Sequence, residues 1–116
     1  MSKSYVANRD ARRCVQERIH FKGSNAWGEW YYETGHVGAN KIIANYVVYS
    51  YRYTWPLFVF DNLAQVWYEN KDKVSPTTSK HRTQLHPLCD TIPLGVEDMK
   101  VVARLGGVGL ISKEMV

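Results

Sequence analysis

The feature that most constrains the fold is a block of strand-forming residues between positions 42 and 60. It is dominated by Ile, Val, Tyr, Phe and Trp, which favour β-strands. Tyr53-Thr54-Trp55 indicates a bend inside the block, and Pro56, which has no N–H to donate, is expected at a strand start or a sheet edge. A turn at Asp61-Asn62 leads into a further strand at 65–69. Connections this short predict antiparallel neighbours.

Weaker patterns on either side of the block complete the expected fold. Upstream, they predict a helix at 8–13 and strands at 15–22 and 29–33. Downstream, capping residues predict helices at about 75–85 and at 97–105. The expected fold is α+β, a single domain over residues 1–116. A small antiparallel sheet of roughly four to five strands would carry roughly two to three short helices packed on it.

The cations of the chain are concentrated in two segments. The whole chain has 15 Lys+Arg and 11 Asp+Glu, a formal net charge of +4. Residues 1–22 carry six Lys/Arg against two Asp/Glu, and residues 71–82 carry four against one. Such clustering indicates an anionic partner, either nucleic acid or an acidic protein face, although two solvated basic faces would give the same pattern. The expected partner-binding residues are Arg9, Arg12, Arg13, Arg18, Lys71, Lys73, Lys80 and Arg82.

Two groups of residues have the outline of a catalytic site. Asp61, Glu69 and Lys71 could form a Mg²⁺-dependent nuclease site, in which two carboxylates hold the metal and a lysine stabilises the attacking water. However, Asp at a turn and Glu-x-Lys at a strand end are very common, and the polar, turn-like setting of Lys71 argues against such a site. His81 could act as a base for Ser79, but residues two positions apart on a helix do not face each other. Helix capping by Thr77, Thr78, Ser79 and His81 is the better interpretation. The alternative is a phosphate site in which the helix N-terminus and its hydroxyls hold an anion together with Lys80 and Arg82.

Metal and nucleotide motifs are poorly supported. His86 and Cys89 could be half of a zinc site, but the other His and Cys residues have no motif spacing. The two glycine-rich segments lack the features of nucleotide-binding loops. We therefore expect no metal and no cofactor, and binding in preference to catalysis.

An alternating row of tyrosines offers a second surface. Tyr49, Tyr51 and Tyr53 are expected to point to one face of a strand, with Arg52 on the other. That face could be core beneath the C-terminal helix, or an open surface on which nucleic-acid bases stack.

The expected location is the cytoplasm. The N-terminal residues do not resemble a signal peptide, and no apolar stretch is long enough to span a bilayer. Cys14 and Cys89 are expected as two buried free thiols in a reducing compartment. No membrane partner is expected, and the oligomeric state is left open.

Three runs carry a family resemblance: Tyr46-Val47-Val48-Tyr49-Ser50-Tyr51, then Trp55-Pro56-Leu57, then Trp67-Tyr68 followed by Thr77-Thr78-Ser79-Lys80-His81. On these residues the chain resembles small uncharacterised proteins of bacteriophages and related mobile elements, over about residues 12–87. The resemblance implies a phage-encoded accessory protein in the host cytoplasm, and it implies no catalytic residue. Such a protein would act stoichiometrically on a host protein or nucleoprotein complex, for example as a defence inhibitor of the anti-CRISPR kind. The alternatives are a direct nucleic-acid binder using the same cations and the nuclease described above.

Overall fold

Six strands form one sheet, in the order in which they occur along the chain. The computed structural model of the protein describes residues 8–23, 25–34, 42–72, 76–107 and 110. Its elements are α1 (Asn8–Glu17), β1 (Phe21–Lys22), β2 (Ala26–Thr34), β3 (Ile42–Ser50), β4 (Arg52–Asp61), β5 (Val66–Asn70), α2 (Pro76–Gln84), β6 (Ile92–Leu94) and α3 (Val96–Leu105).

The sheet is an antiparallel meander with one parallel addition. Each of the strands β1 to β5 pairs antiparallel with the next, and only β5 and β6 are parallel. The parallel pair is possible because α2 lies between β5 and β6 and returns the chain to the same end of the sheet. The predicted α+β class with helices packed on a mainly antiparallel sheet is confirmed. The described residues form six strands, more than the four to five predicted, and three helices.

Helices cover both faces of the sheet. On one face, Ala11 and Val15 of α1 and Leu85 at the end of α2 join a core that includes Tyr46, Phe58 and other sheet residues. On the other face, α3 contributes a second core through Met99, Val102 and Ala103. The two faces are called the α1/α2 face and the α3 face below.

The N-terminal segment differs from its prediction. The helix runs through Glu17, so a strand at 15–22 is wrong except for Phe21–Lys22. Val15 lies one helical turn after Ala11, and both are fully buried against the sheet. The helix ends with Arg18 at φ 54°, where Ile19 N donates to Cys14 O (2.9 Å) and Arg18 N to Val15 O (3.1 Å). This pair of bonds is a Schellman motif that satisfies the last carbonyls of the helix.

The connection between β3 and β4 also differs from its prediction. The chain turns at Tyr51, whose φ is 69°, and not at residues 53–55. Pro56 lies inside β4, an internal strand, so its predicted place at a strand start or an edge is wrong. The register explains why it is tolerated: Val48 is opposite Phe58 and Tyr49 is opposite Pro56, which leaves Leu57 as an extra residue in a β-bulge.

The short strand β6 was not predicted. It has three residues, and its backbone is held by β5, where Lys71 N donates to Leu94 O (2.9 Å). The next helix, α3, starts on a glycine N-cap with no capping side chain of its own. Asp72 supplies the cap from the end of β5, because its Oδ2 accepts Val96 N at 2.8 Å.

Gly28 on β2 should be intolerant of any side chain. A Cβ atom there would lie 2.3 Å from the Tyr46 hydroxyl oxygen and 2.5 Å from the Phe21 ring. We expect Gly28→Ala to lower the free energy of unfolding in urea by at least about 2 kcal/mol, because the core cannot absorb the overlap without moving both rings. Gly95→Ala is the control, since its Cβ would only reach Asp72 Oδ2 at 3.5 Å, and it should change stability by less than about 1 kcal/mol. Equal effects of the two substitutions would contradict the packing described.

Candidate functional site

Helices α1 and α2 lie side by side, and this brings the two basic segments of the chain together. Arg12 of α1 donates from Nη2 to the carbonyl of Thr83 in the last turn of α2. Gln16, one turn later on α1, donates to Pro87 O at 3.3 Å. The last carbonyls of a helix lack hydrogen-bond partners within it and attract positive charge. Arg12 therefore gives the C-terminal end of α2 a hydrogen-bond donor and a favourable charge. Together the two helices contain five Lys/Arg and two Asp/Glu, a formal charge of +3.

Three of the predicted contact residues are exposed to solvent. The Arg13 side chain is 84% exposed and pairs with Glu17 Oε2 at 3.1 Å. Lys80 is exposed on α2, and Lys71 is exposed directly after β5. Of the remaining predicted residues, the side chain of Arg9 and the whole of Lys73 lie outside the part of the chain that the structure describes.

The other three predicted cations connect elements of the fold. Arg82 donates from Nη1 to Asn70 O at 2.8 Å, and its side chain is only 18% exposed. The Arg18 guanidinium lies 4.4 Å from the centroid of the Phe60 ring, a cation–π contact between the end of α1 and the sheet. With Arg12, these residues hold the helical layer in place, so only part of the predicted set is available to a partner.

Glu69 of β5 is the centre of a polar network below α2. Its Oε1 accepts the Thr91 hydroxyl at 2.7 Å and lies 3.2 Å from His86 Nε2, while Arg82 Nε lies 3.8 Å from Oε2. His86 Nδ1 accepts Leu88 N at 2.9 Å, so the ring proton is on Nε2 and points to Glu69. The carboxylate therefore fastens α2 and the loop after it to the sheet.

Asp61 lies on the opposite face of the sheet from Glu69. Its Oδ1 accepts Leu63 N (2.9 Å) and Ala64 N (3.1 Å), and its Oδ2 accepts Gly107 N (2.8 Å) beyond the end of α3. In the β4–β5 register, Asp61 is opposite Val66 and not opposite Glu69. The structure thus does not bring Asp61 and Glu69 together as the two-carboxylate arrangement of a nuclease. Among the described residues, no group of three or more His, Cys, Asp or Glu side chains is placed to hold a metal ion.

His81 pairs with a serine that the sequence did not point to. Its Nδ1 lies 2.8 Å from Ser50 Oγ, and Tyr51 stacks on the imidazole with 5.4 Å between ring centroids. Ser50 and His81 are 1% and 3% exposed. Burial lowers the pKa of His81, and the neighbouring charge of Lys80 lowers it further. A Ser–His pair can transfer a proton, but both groups are closed off from solvent, so this pair connects α2 to the β3–β4 turn.

The three tyrosines do not share one face. Tyr49 is buried beside α3, and burial followed by the charge of Glu29 raises its pKa to about 12. Tyr51 turns toward α2 because its positive φ starts the turn. Tyr53 returns to the α3 face, where it contacts Trp27 and is 63% exposed. The single tyrosine face that the sequence predicts is therefore wrong for Tyr51.

The two cysteines are free thiols that differ in exposure. Cys14 is half-buried on α1, whereas Cys89 is exposed in the loop between α2 and β6, so the prediction of two buried thiols is wrong for Cys89. Burial is the main cause that raises both pKa values. Within the ranges that the structure describes, no helix is long and apolar enough to cross a membrane.

Comparison of the chain with protein-family models, with curated proteins and with solved structures finds no match. The assignment of a function therefore depends on the geometry above.

The buried Ser50–His81 pair predicts a specific pH dependence of stability. Because the folded-state pKa of His81 is lowered, unfolded chains bind a proton that folded chains do not, in the window just below pH 6.5. The contribution of the neutral ring is complete above pH 6.5 and is lost as the pH falls, by at most about 1.4 kcal/mol per pH unit for one proton. His81→Gln should flatten the pH dependence of the free energy of unfolding between pH 7 and 5. Equal slopes in wild type and His81→Gln would contradict the assignment.

Proposed function

We propose that this protein acts stoichiometrically, by docking its α1/α2 face on an acidic surface of another macromolecule. The observation that supports this is the adjacency of α1 and α2, two helices from basic segments that lie far apart in the sequence. On the other face, α3 carries two acids and two bases, with no net formal charge. The excess positive charge in the helices is therefore on one side of the sheet.

The internal use of the polar groups supports binding in preference to catalysis. Asp61 and Glu69 each accept hydrogen bonds from groups within the fold, and Ser50 and His81 are bonded to each other out of reach of solvent. Catalytic groups need access to a substrate and a proton-transfer partner on it. The exposed cations of the α1/α2 face need only a complementary surface.

The composition of this face suits a protein partner better than naked nucleic acid. Phosphate binding gains affinity from many cations that each release a counterion, but Arg12 and Arg82 are engaged within the fold and Arg13 is paired with Glu17. An apolar side chain also lies at the edge of the face: Leu88, which is 61% exposed, follows the Pro87 carbonyl that Gln16 binds. A mixture of exposed apolar and charged groups is typical of protein interfaces.

The resemblance to small bacteriophage proteins supports a partner that belongs to the host. The partner would be a host protein or nucleoprotein complex, and occupation of its surface would inhibit it. An inhibitor of a defence complex, of the anti-CRISPR kind, is one form of this proposal. Such an inhibitor requires no cofactor, and a docking face alone is sufficient for it.

Charge reversal on the α1/α2 face should abolish partner capture. We expect Arg13→Glu/Lys80→Glu to reduce capture of a stoichiometric partner from nuclease-treated bacterial lysate by at least about 10-fold, because like charges meet across the interface. Lys100→Glu/Arg104→Glu is the matched control, with the same change in net charge on α3, away from the α1/α2 face, and it should capture as the wild type does. Quantitative mass spectrometry of the bound fraction measures both. The proposal fails if the control loses the partner while the α1/α2 variant keeps it.

The salt dependence of DNA binding distinguishes the proposed docking on a protein from direct nucleic-acid binding. Three of the predicted contact cations that the structure describes are exposed, Arg13, Lys71 and Lys80. If these three contact phosphates, the logarithm of any affinity for a DNA duplex should fall against the logarithm of salt concentration with a slope of about −3. Gel shifts across a salt series would measure it. A slope of about −6 or steeper would mean that many more phosphates are contacted, and would favour direct nucleic-acid binding over the proposal.

A further inference from the structure

The α3 face has a second feature, a groove at the β1–β2 side of the sheet. It is open to solvent, has a volume of about 300 Å³, and is lined by Phe21, Lys22, Trp27, Glu29 and Tyr53. We call it the aromatic groove. It lies on the side of the sheet away from Arg13 and Lys80, so it does not depend on the proposed function.

Strand register and the β3–β4 turn assemble the aromatic groove. Trp27 and Glu29 are two residues apart on β2 and so share a face, and Lys22 of β1 is directly opposite Trp27. Tyr53 reaches the same place after the turn at Tyr51, with its ring centroid 4.9 Å from that of Trp27. The rings of Trp27 and Tyr53 both pack on Tyr49, at 5.4 and 4.8 Å between centroids. The result is a rigid aromatic wall whose outer member, Tyr53, is 63% exposed.

Glu29 is a carboxylate that forms no ion pair within the described part of the chain. It is half-buried, and among the described residues it accepts one long hydrogen bond, from the Tyr53 hydroxyl to Oε1 at 3.5 Å. It takes part in none of the ion pairs formed among the residues that the structure describes. Its charge nevertheless acts on the aromatic wall, because after burial it is the next cause that raises the pKa of Tyr49. A half-buried carboxylate beside aromatic rings is stabilised best by a cation that can also pack its own apolar surface on those rings.

Guanidinium has the chemistry that this arrangement would recognise. It is planar and stacks on aromatic rings, it is weakly hydrated, and it donates several hydrogen bonds to a carboxylate. A quaternary ammonium would also stack, but it has no N–H to donate to Glu29. An anion would be repelled by Glu29, with only the exposed Lys22 to hold it.

We propose that the aromatic groove binds the arginine side chain of a partner polypeptide, with the guanidinium against Tyr53 and Trp27 and hydrogen-bonded to Glu29. The volume is at the small end for ligand sites, which suits one long side chain, and the open side leaves room for the backbone of the partner outside the groove. The protein would then contact partners with both faces of its sheet, through cations on one and through a cation receptor on the other.

The test is a titration of the protein with N-acetyl-arginine amide, followed through the indole N–H signal of Trp27 in ¹⁵N NMR spectra. This N–H is buried and has no hydrogen-bond partner within the described residues, so its signal should report on a ligand that packs on the ring. We expect a saturable shift with the arginine compound and none with the neutral N-acetyl-norleucine amide. Tetramethylammonium should bind at least about 5-fold more weakly, because it cannot donate to Glu29. Absence of a saturable shift with the arginine compound, or equal binding of tetramethylammonium, would overturn the proposal.

Matched variants assign the binding to individual groups. Glu29→Gln keeps the size of the side chain and removes its charge, and it should weaken arginine binding by about 10-fold. Tyr53→Leu should weaken it by about 5-fold, since the exposed ring is lost. Lys22→Met removes a like charge and should leave the affinity unchanged or raise it. Glu97→Gln, a charge removal at an exposed position of α3, is the control and should bind as the wild type does. Spectra that otherwise match the wild type establish that each variant is folded, and loss of binding in Lys22→Met, or its retention in Glu29→Gln, would overturn the assignment.

Discussion

Burial of both faces of the central strands is the constraint on which the rest of this structure depends. In β3 and β4, residues 45–50 and 56–61 are all buried, so side chains pointing to either face need a helix above them. Val47 and Val59 pack under α3, while Tyr46 and Phe58 pack under α1 and α2. Two sequence-distant helices must therefore share one face. The two basic segments lie together because α1 and α2 both cover the core on this face. Their adjacency does not by itself require a function.

Polar groups beneath the helices determine how these layers are joined. Asp61 binds the chain beyond α3, Glu69 binds the loop after α2, and Ser50 binds His81 within α2. Each is a hydrogen-bonding group in a buried or half-buried position that would be costly without its partner, so these bonds constrain the helix positions in addition to apolar packing. Because these side chains are bonded within the fold, the residues that resemble catalytic groups are not available to a substrate. The exposed charges and aromatic rings are what remains for recognition.

The two candidate surfaces differ in how they are built. On the α1/α2 face, binding groups are long side chains on helices, and three of the six predicted cations whose side chains are described also have structural roles. On the α3 face, Trp27, Tyr49 and Tyr53 pack into an aromatic wall beside Glu29, a carboxylate that has no ion pair among the described residues. Exposed charges on long side chains suit attraction to a complementary surface, whereas a preformed groove suits selection of one side chain.

Local sequence was sufficient for the class of fold, for α2 and α3, and for most of β2, β3 and β5, because propensity, capping residues and turn residues act over a few neighbours. It was insufficient at residues 15–22, where an alternating pattern typical of a strand and a repeat typical of a helix overlap. The helix forms there because Ala11 and Val15 pack on the sheet. Strand β6 exists only because β5 offers it a backbone ladder. Sheet register and layer packing determine the remaining features. They decide which arginines face solvent, that Tyr51 does not share a face with Tyr49 and Tyr53, and that Asp61 and Glu69 lie on opposite faces. These are long-range contacts, and no local pattern in the chain encodes them.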